Sequence, residues 1–205
     1  MRAVAERGLT PRSTGPATAG TVSPVRGTWC IISYRAYGAC LHGPVSSNVR
    51  PRMNVLITLL RLPGVLTGTG TNHEGEDFIG YMELHPLVGN RGIQIHYVAT
   101  RVDGKHLHRE ATLLSKNDNN EYCLWPIMEE LPNVQAHPLL SDTRTDDGRV
   151  VLVFANASRE NVAVFREEIT LELNPNGPLV YSHSWGLPGG PFQRRSRCEL
   201  SPSEA

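Results

Sequence analysis

Short segments of alternating apolar and polar residues, separated by turn signals, most constrain the fold of this chain. The turns carry residue pairs such as Gly89-Asn90, Asp103-Gly104 and Asn176-Gly177, which favour tight hairpins. Roughly 8–15 residues separate successive segments, which leaves no room for crossover helices, so neighbours are expected to pair as antiparallel strands. The predicted strands span residues 64–70, 77–85, 92–100, 105–114, 121–125, 134–140, 149–154, 162–173, 179–185 and 192–200.

A sequential sheet of about ten strands must either close or leave two exposed edges, and closure into a barrel removes both edges. The strands mix apolar and polar residues: His96 and Thr100 alternate with Ile95 and Tyr97. A barrel that holds a ligand has such a mixed inner wall. The sequence therefore predicts an all-β, up-and-down antiparallel β-barrel with an interior cavity. A β-sandwich is the alternative.

The segment before the first strand predicts one short helix. Residues 53–62 are mostly apolar, and Pro63 ends the helix. Gly64, Gly68 and Gly70 then follow in the first strand, where they leave space for another segment to approach the backbone. A short N-terminal helix is thus expected to close the bottom of a barrel domain over residues 53–202.

Residues 1–52 form a basic segment without helical or strand periodicity, for which we predict a disordered extension. The segment carries seven Arg, no Lys and one acid, Glu6, while the rest of the chain carries 13 Lys plus Arg against 19 Asp plus Glu. An Arg-rich, acid-poor composition is typical of organelle transit peptides. A plain disordered tail, or an extension upstream of a start at Met53, are the alternatives.

Composition sets aside several classes of protein. The barrel segment is acidic and has no cationic cluster suited to nucleic acid. No apolar run is long enough to span a membrane, since Arg61 and Pro63 interrupt the best one. The four cysteines, Cys30, Cys40, Cys123 and Cys198, show no CxxC spacing. They predict free thiols in a reducing, cytoplasmic setting, with a Cys123–Cys198 disulfide left open.

His106-x-His108-x-Glu110 places two imidazoles and a carboxylate on one face of a predicted strand. A metal site there needs a further ligand from a neighbouring strand, for which His96 and Glu83 are candidates. The alternative, which we favour, is that these polar groups hydrogen-bond to each other inside the barrel or face water. Tyr81-x-Glu83 with His108-x-Glu110 is likewise a candidate for a buried polar network.

Aromatic and cationic residues supply the other candidate ligand-binding positions. Trp125, Tyr181 and Trp185 are expected to line the cavity or to pack its core. An inward Arg195, which shares a face with Arg197 in a regular strand, is suited to a ligand carboxylate. No motif of a known catalytic class is present, so no catalytic residue is assigned.

Several of these residues resemble the motifs of a known family. Gly64-x-Leu66-x-Gly68-x-Gly70 resembles the GxWxGxG first-strand signature of nitrobindin-like and lipocalin-like barrels of the calycin type, with Leu66 in place of the Trp. Further matches are Phe78, Tyr81-Met82-Glu83, Tyr97, Leu107-His108-Arg109-Glu110 and the closing run 195–200. The resemblance implies a calycin barrel with an interior ligand, as in the fatty-acid-binding barrels.

Haem-binding members of that family use a histidine just before the last strand as the iron ligand. This chain has Gly186-Leu-Pro-Gly-Gly-Pro-Phe-Gln193 there and no His after His183, which sits one strand earlier. We therefore predict no haem and no other cofactor, with His183 as the only replacement ligand to consider.

The sequence thus predicts a carrier or sensor barrel for a small, mostly hydrophobic molecule with one polar end. The predicted ligand-binding residues are Tyr81, Glu83, His96, Tyr97, His108, Glu110, Trp125, Tyr181, His183 and Arg195. An enzyme that uses His96, His108 and Glu110 as acid and base groups is the alternative, with nitrobindin-like peroxynitrite isomerisation as its haem form. A barrel filled by its own side chains, acting through protein contacts, is a third hypothesis. The sequence does not fix the oligomeric state.

Overall fold

The computed structural model describes residues 54–203, which contain one helix and ten strands. The predicted basic extension, residues 1–52, and the predicted domain start at Met53 lie outside the described residues. The elements are α1 (Val55–Leu59), β1 (Val65–Asn72), β2 (Asp77–Leu87), β3 (Gly92–Arg101), β4 (His106–Lys116), β5 (Tyr122–Met128), β6 (His137–Arg144), β7 (Val150–Ala155), β8 (Arg166–Leu173), β9 (Leu179–Gly186) and β10 (Gln193–Pro202).

The ten strands form a closed antiparallel barrel in chain order, and β1 closes it by pairing with both β2 and β10. The predicted all-β barrel with one short helix is therefore confirmed, and the sandwich alternative is wrong. Closure leaves the barrel sheet without a free edge, which satisfies the backbone donors and acceptors that an open sheet would expose.

Each strand turns alternate side chains into the barrel, as the period of two requires. On β3 the inward residues Ile93, Ile95, Tyr97 and Ala99 are all buried, and their neighbours in between are half-buried. The same alternation selects Phe78, Met82 and Leu84 on β2, Leu124 and Met128 on β5, and Ile169, Leu171 and Leu173 on β8.

Helix α1 closes one end of the barrel. The Asn54 side chain accepts a hydrogen bond from the Ile57 N–H at 3.2 Å, which caps the helix. The Tyr122 hydroxyl donates to the same Asn54 oxygen at 3.0 Å and ties the helix to β5. Val55, Leu56 and Leu59 are buried in the core, each stabilising the fold by about 1.5–3 kcal/mol. This end of the barrel is therefore packed by core side chains.

The predicted bounds of three strands are wrong by three or four residues. Strand β5 runs on to Met128, although its end was predicted at residue 125, and the other two strands are β6 and β8. The segment predicted over 134–140 forms β6 three residues later, and it pairs with β5 through only two positions, Cys123–Pro138 and Leu124–His137. The segment predicted over 162–173 becomes a strand only at Arg166, because residues 156–165 form a turn whose Val162 carbonyl accepts from the Gly189 N–H at 2.8 Å. The errors at β6 and β8 place a loop at the end of the barrel opposite the helix.

Cys123 and Cys198 are buried free thiols, so the predicted thiol state is confirmed for these two, and the disulfide alternative is wrong. Burial raises the pKa of both thiols. Cys30 and Cys40 lie outside the described residues. Within residues 54–203 no helix has the length and apolar character needed to cross a membrane.

Candidate functional site

A cavity of about 390 Å³ opens at the end of the barrel opposite α1. Volumes of roughly 300–1,000 Å³ are typical of sites for small molecules. Its wall is mostly apolar and comes from Phe78, Leu107, Met128, Phe165 and Trp185. The helix end of the barrel, by contrast, is filled by inward Leu, Ile and Met side chains. The interior is thus self-filled in one half and hollow in the other.

A wider groove of about 840 Å³ lies along β1, β2 and β10. Thr69, Thr71, Ile79 and Arg197 of its lining lie on the outer face of these strands. The groove is therefore mainly a feature of the barrel surface, and it adjoins the interior cavity at residues that line both, among them His73, Phe78 and Arg195.

Two histidines and a glutamate meet at the polar side of the cavity. His108 and Glu110 come from β4, and His183 comes from β9. The Glu110 Oε2 atom lies 3.4 Å from His108 Nε2 and 3.7 Å from His183 Nε2. Glu110 and His183 are buried, while His108 is half-buried at the cavity wall. We call these three residues the His-Glu-His cluster.

A second layer of polar groups holds the cluster in place. Glu130 contacts His108 Nδ1 at 3.0 Å, and Glu167 contacts His183 Nδ1 at 3.2 Å. The other oxygen of Glu167 lies 3.1 Å from His137 Nε2. The Tyr181 hydroxyl donates to Glu110 Oε1. Each buried carboxylate therefore has partners on both oxygens, as groups withdrawn from water require.

These contacts shift the pKa values of the buried groups. Burial alone would lower the pKa of His108, but hydrogen bonds to Glu110 and Glu130 outweigh it and raise the pKa to about 10. Burial would raise the pKa of Glu167, but hydrogen bonds to His137 and His183 outweigh it and lower the pKa to about 2. The pKa of Tyr181 is raised by burial and by the Glu110 carboxylate. Glu167 is thus an anion and Tyr181 a hydrogen-bond donor at neutral pH.

Five of the predicted ligand-binding residues share the interior, namely Tyr97, His108, Glu110, Tyr181 and His183. The Tyr97 and Tyr181 rings meet edge to face with centroids 4.9 Å apart, just beyond the cluster. Arg195 joins the cavity at its rim, where its guanidinium lies 3.9 Å from the centre of a Trp185 ring.

Four predicted residues do not line the interior. Tyr81 and Glu83 lie on the outer face of β2 because Phe78, Met82 and Leu84 occupy the inward positions of that strand. The remaining two follow the same alternation: His96 is outward beside the inward Ile95, and Trp125 is outward beside the inward Leu124.

The outward residues of β2 and β3 form a surface cluster of their own. Tyr81 donates to Glu83 at 2.5 Å, and His85 lies 2.9 Å from the other Glu83 oxygen. The His96 ring lies 6.0 Å from that of His85. The interior network predicted between Tyr81-x-Glu83 and His108-x-Glu110 is therefore wrong. The acid and base set of His96, His108 and Glu110 is not assembled either.

Register shifts on β4 and β10 separate side chains that were expected to lie on the same face of their strand. On β4, Ala99 pairs with His108 but Thr100 pairs with His106, which leaves Leu107 as an extra residue. His106 is consequently exposed, while Leu107 enters the cavity wall. On β10 the extra residue is Arg195, so Arg195 and Arg197 do not share a face. Such bulges re-aim side chains next to sites in many barrels.

Sequence reasoning missed three members of the second layer: Glu130, His137 and Glu167. For Glu167 a signal exists, because it has the same parity as Ile169, Leu171 and Leu173, which all point inward. Glu130 follows β5 in a turn, and His137 begins β6 after an irregular segment, so no periodicity marks either residue.

The fold and the site define a closed ten-stranded barrel with a helix at one end and a polar-sided cavity at the other, which is consistent with the calycin-like class suggested by the sequence motifs. No protein-family model and no curated protein matches the chain.

Among solved structures, the crystal structure of Rv2717c from M. tuberculosis is similar, with a TM-score of 0.56 and 16% identity over 73% of this chain and 98% of that chain. A de novo designed fluorescence-activating β-barrel gives a TM-score of 0.36 and 15% identity over 69% of this chain and 94% of that chain. The similarity to Rv2717c is evidence for the fold alone.

Proposed function

We propose that the barrel binds a small, mostly apolar molecule with one anionic end. The observation that carries this proposal is the cavity of about 390 Å³ at the open end, which has a mostly apolar wall, a polar side and Arg195 at its rim. Removal of an apolar ligand surface from water contributes about 25 cal/mol per Å². A partly hollow interior that ends against packed leucines is suited to such a ligand.

Arg195 is the group best placed to hold the anionic end. Its Nε atom donates to the Trp185 carbonyl at 3.3 Å, and its guanidinium plane lies over the indole ring. Within residues 54–203 neither terminal nitrogen makes a hydrogen bond, so both are available to a carboxylate or sulfonate. A stacked and hydrogen-bonded guanidinium is preorganised, which lowers the entropic cost of binding.

The first prediction locates the ligand, with anilinonaphthalene sulfonate as the probe because it has an apolar body and one anionic group. Ala99 borders the cavity, and Ala111 lies on the outward side of β4. We expect Ala99→Leu to weaken probe binding by about tenfold because the added carbons occupy the cavity. Ala111→Leu is expected to leave the affinity unchanged.

Probe fluorescence and energy transfer from tryptophan measure both affinities. Trp185 lines the cavity and Trp125 does not. A Trp125→Phe variant should therefore retain more of the transfer than a Trp185→Phe variant. Equal affinity of the two alanine variants would place the probe outside the barrel and contradict the proposal.

The second prediction concerns the anionic end. Replacement of Arg195 by Gln is expected to weaken sulfonate binding by about 10–100-fold, because a charge-assisted hydrogen bond contributes about 1.5–3 kcal/mol. Arg194→Gln is the matched control, since Arg194 is exposed and pairs on the outer side with Ser184. A neutral analogue without the sulfonate should bind both variants alike. If Arg195→Gln and Arg194→Gln weaken the sulfonate probe equally, the assignment of Arg195 fails.

A further inference from the structure

We propose that the His-Glu-His cluster is a binding site for a divalent transition-metal ion, with Zn²⁺ as the best-suited ion. The ligands are His108 Nε2, His183 Nε2 and Glu110 Oε2. This inference goes beyond the proposed carrier function and does not depend on it, because it rests on the donor atoms and not on the apolar cavity.

Two of the three donor separations are close to those of a tetrahedral site. Zinc bonds of about 2.0–2.2 Å place two ligand atoms roughly 3.3–3.5 Å apart. The Glu110 oxygen lies 3.4 Å from one imidazole nitrogen and 3.7 Å from the other. All three donor atoms lie within 4.8 Å of one another. Side-chain rotations of about 1 Å would bring all three within bonding distance of one ion.

The second layer orients each imidazole for coordination. Glu130 accepts from His108 Nδ1, and Glu167 accepts from His183 Nδ1. With its proton on Nδ1, each imidazole directs Nε2 toward Glu110, and a metal ion that binds there must displace any second proton from that nitrogen. This carboxylate-histidine arrangement accompanies nearly all histidine metal ligands, because it fixes the tautomer and raises the basicity of the ring.

A hydrogen bond also orients the Glu110 carboxylate. The Tyr181 hydroxyl donates to Oε1, which leaves Oε2 facing the two imidazoles. The Glu110 side chain is fully buried, and a charge so withdrawn from water needs close compensation. A divalent cation bound by the three donors supplies that compensation. A proton on an imidazole nitrogen competes with the cation for the same position.

An independent observation points to a missing partner. His183 Nε2 is a buried nitrogen without a hydrogen-bond partner among residues 54–203, and the His183 side chain retains only 6% of its exposure. Buried polar atoms in native proteins are nearly always satisfied. The unpartnered atom is the His183 nitrogen that lies 3.7 Å from the Glu110 carboxylate.

Two imidazoles and one carboxylate favour zinc or another first-row ion over Mg²⁺ and Ca²⁺, which prefer oxygen ligands. Three protein ligands leave a fourth position, and in metalloproteins such a position is open to water or another small ligand. His108 and His183 both border the cavity, so that position lies toward it.

Isothermal titration calorimetry, in which Zn²⁺ is added to the chelator-treated full chain, tests the proposal. We expect one tight site in the wild type, and its loss in His183→Gln. The matched control is Glu83→Gln with His85→Gln, which removes a surface pair of the same residue types at 2.9 Å and should leave the tight site intact. Residues 1–53, with Cys30, Cys40 and His42, are the same in every variant, so they cannot cause a difference.

The His183→Gln variant changes a buried residue and can misfold. Glu130→Gln tests the same site with a replacement nearer the surface, because the Glu130 side chain is 50% exposed. It should weaken the tight site by about 10–100-fold, the usual effect of losing a carboxylate partner of a ligand. Co²⁺ in place of Zn²⁺ should give the strong visible absorption of a four-coordinate ion in the wild type and not in His183→Gln.

The proposal is overturned if the wild type has no tight site, or if the surface variant abolishes it. Zinc binding that is equal in the wild type, in His183→Gln and in Glu130→Gln would also overturn it. These outcomes are independent of the sulfonate probe, so failure of the metal site and failure of the carrier function are distinguishable.

Discussion

Replacement of Gly68 by alanine is expected to reduce the free energy of unfolding by about 3–5 kcal/mol. Gly68 lies in β1 opposite Gly80 of β2 and Leu200 of β10, at the seam that closes the barrel. A Cβ atom at Gly68 would lie 1.7 Å from the Glu199 carbonyl oxygen and 2.7 Å from its carbon. Because the obstacle is backbone, no rotamer change relieves it, and β1 must separate from β10.

Urea denaturation followed by circular dichroism measures the change. Gly64→Ala is the matched control, because the nearest atom to a Cβ there is the Leu84 oxygen at 3.8 Å, an ordinary contact. We expect that variant to stay within about 0.5 kcal/mol of the wild type. Equal stability of the Gly68 and Gly64 variants would show that β1 and β10 do not approach as closely as described.

Replacement of Arg166 by methionine is expected to cost about 3–4 kcal/mol and to loosen the loops at the cavity mouth. Arg166 is 1% exposed. Its guanidinium donates to the carbonyls of Arg159 at 2.9 Å, Leu187 at 2.9 Å and Gly190 at 2.8 Å. Methionine fills a similar volume but removes all three hydrogen bonds. The Leu187 carbonyl keeps the Gly190 N–H at 2.9 Å, whereas the Arg159 and Gly190 carbonyls need water as a new partner, which favours opening of the loops.

Hydrogen exchange monitored by mass spectrometry distinguishes local loosening from global destabilisation. Peptides covering 156–165 and 187–191 should exchange faster in Arg166→Met, while those of β3 and β4 should keep most of their protection. Arg144→Met is the control, since Arg144 is exposed on β6 and its loss should cost less than about 0.5 kcal/mol. Unchanged exchange in the two loops would contradict the bracing role of Arg166.

The strand pattern predicted most of the fold because its causes are local. Turn pairs such as Asp103-Gly104 fix hairpins within a few residues. Pro63 was predicted to end the helix, but α1 already ends at Leu59, so the proline only prevents a longer helix. The antiparallel order follows because each connection is too short to cross the sheet. The boundaries of β6 and β8 were predicted wrongly. For β8 the cause is that the Val162 carbonyl accepts a hydrogen bond from Gly189, far away in the chain.

The candidate site was predicted less completely than the fold. Placement of His108, Glu110 and His183 in the interior agrees with their strand parity. Tyr81 and Glu83 were predicted to lie inside the barrel because polar residues were expected there. They lie outside, since Phe78, Met82 and Leu84 occupy the inward positions of β2. Whether any of these residues binds a ligand remains a prediction.

The sequence by itself determined the ten strands, their antiparallel order and the helix that closes one end, because turn chemistry and hydrophobic periodicity act over a few residues. Only the tertiary structure decided which polar groups meet. Extra residues at Leu107 and Arg195 reset the inward face of two strands. Barrel closure then brought His183, 73 residues beyond Glu110 in the chain, to within 3.7 Å of its carboxylate, and contacts across such separations depend on the whole sheet.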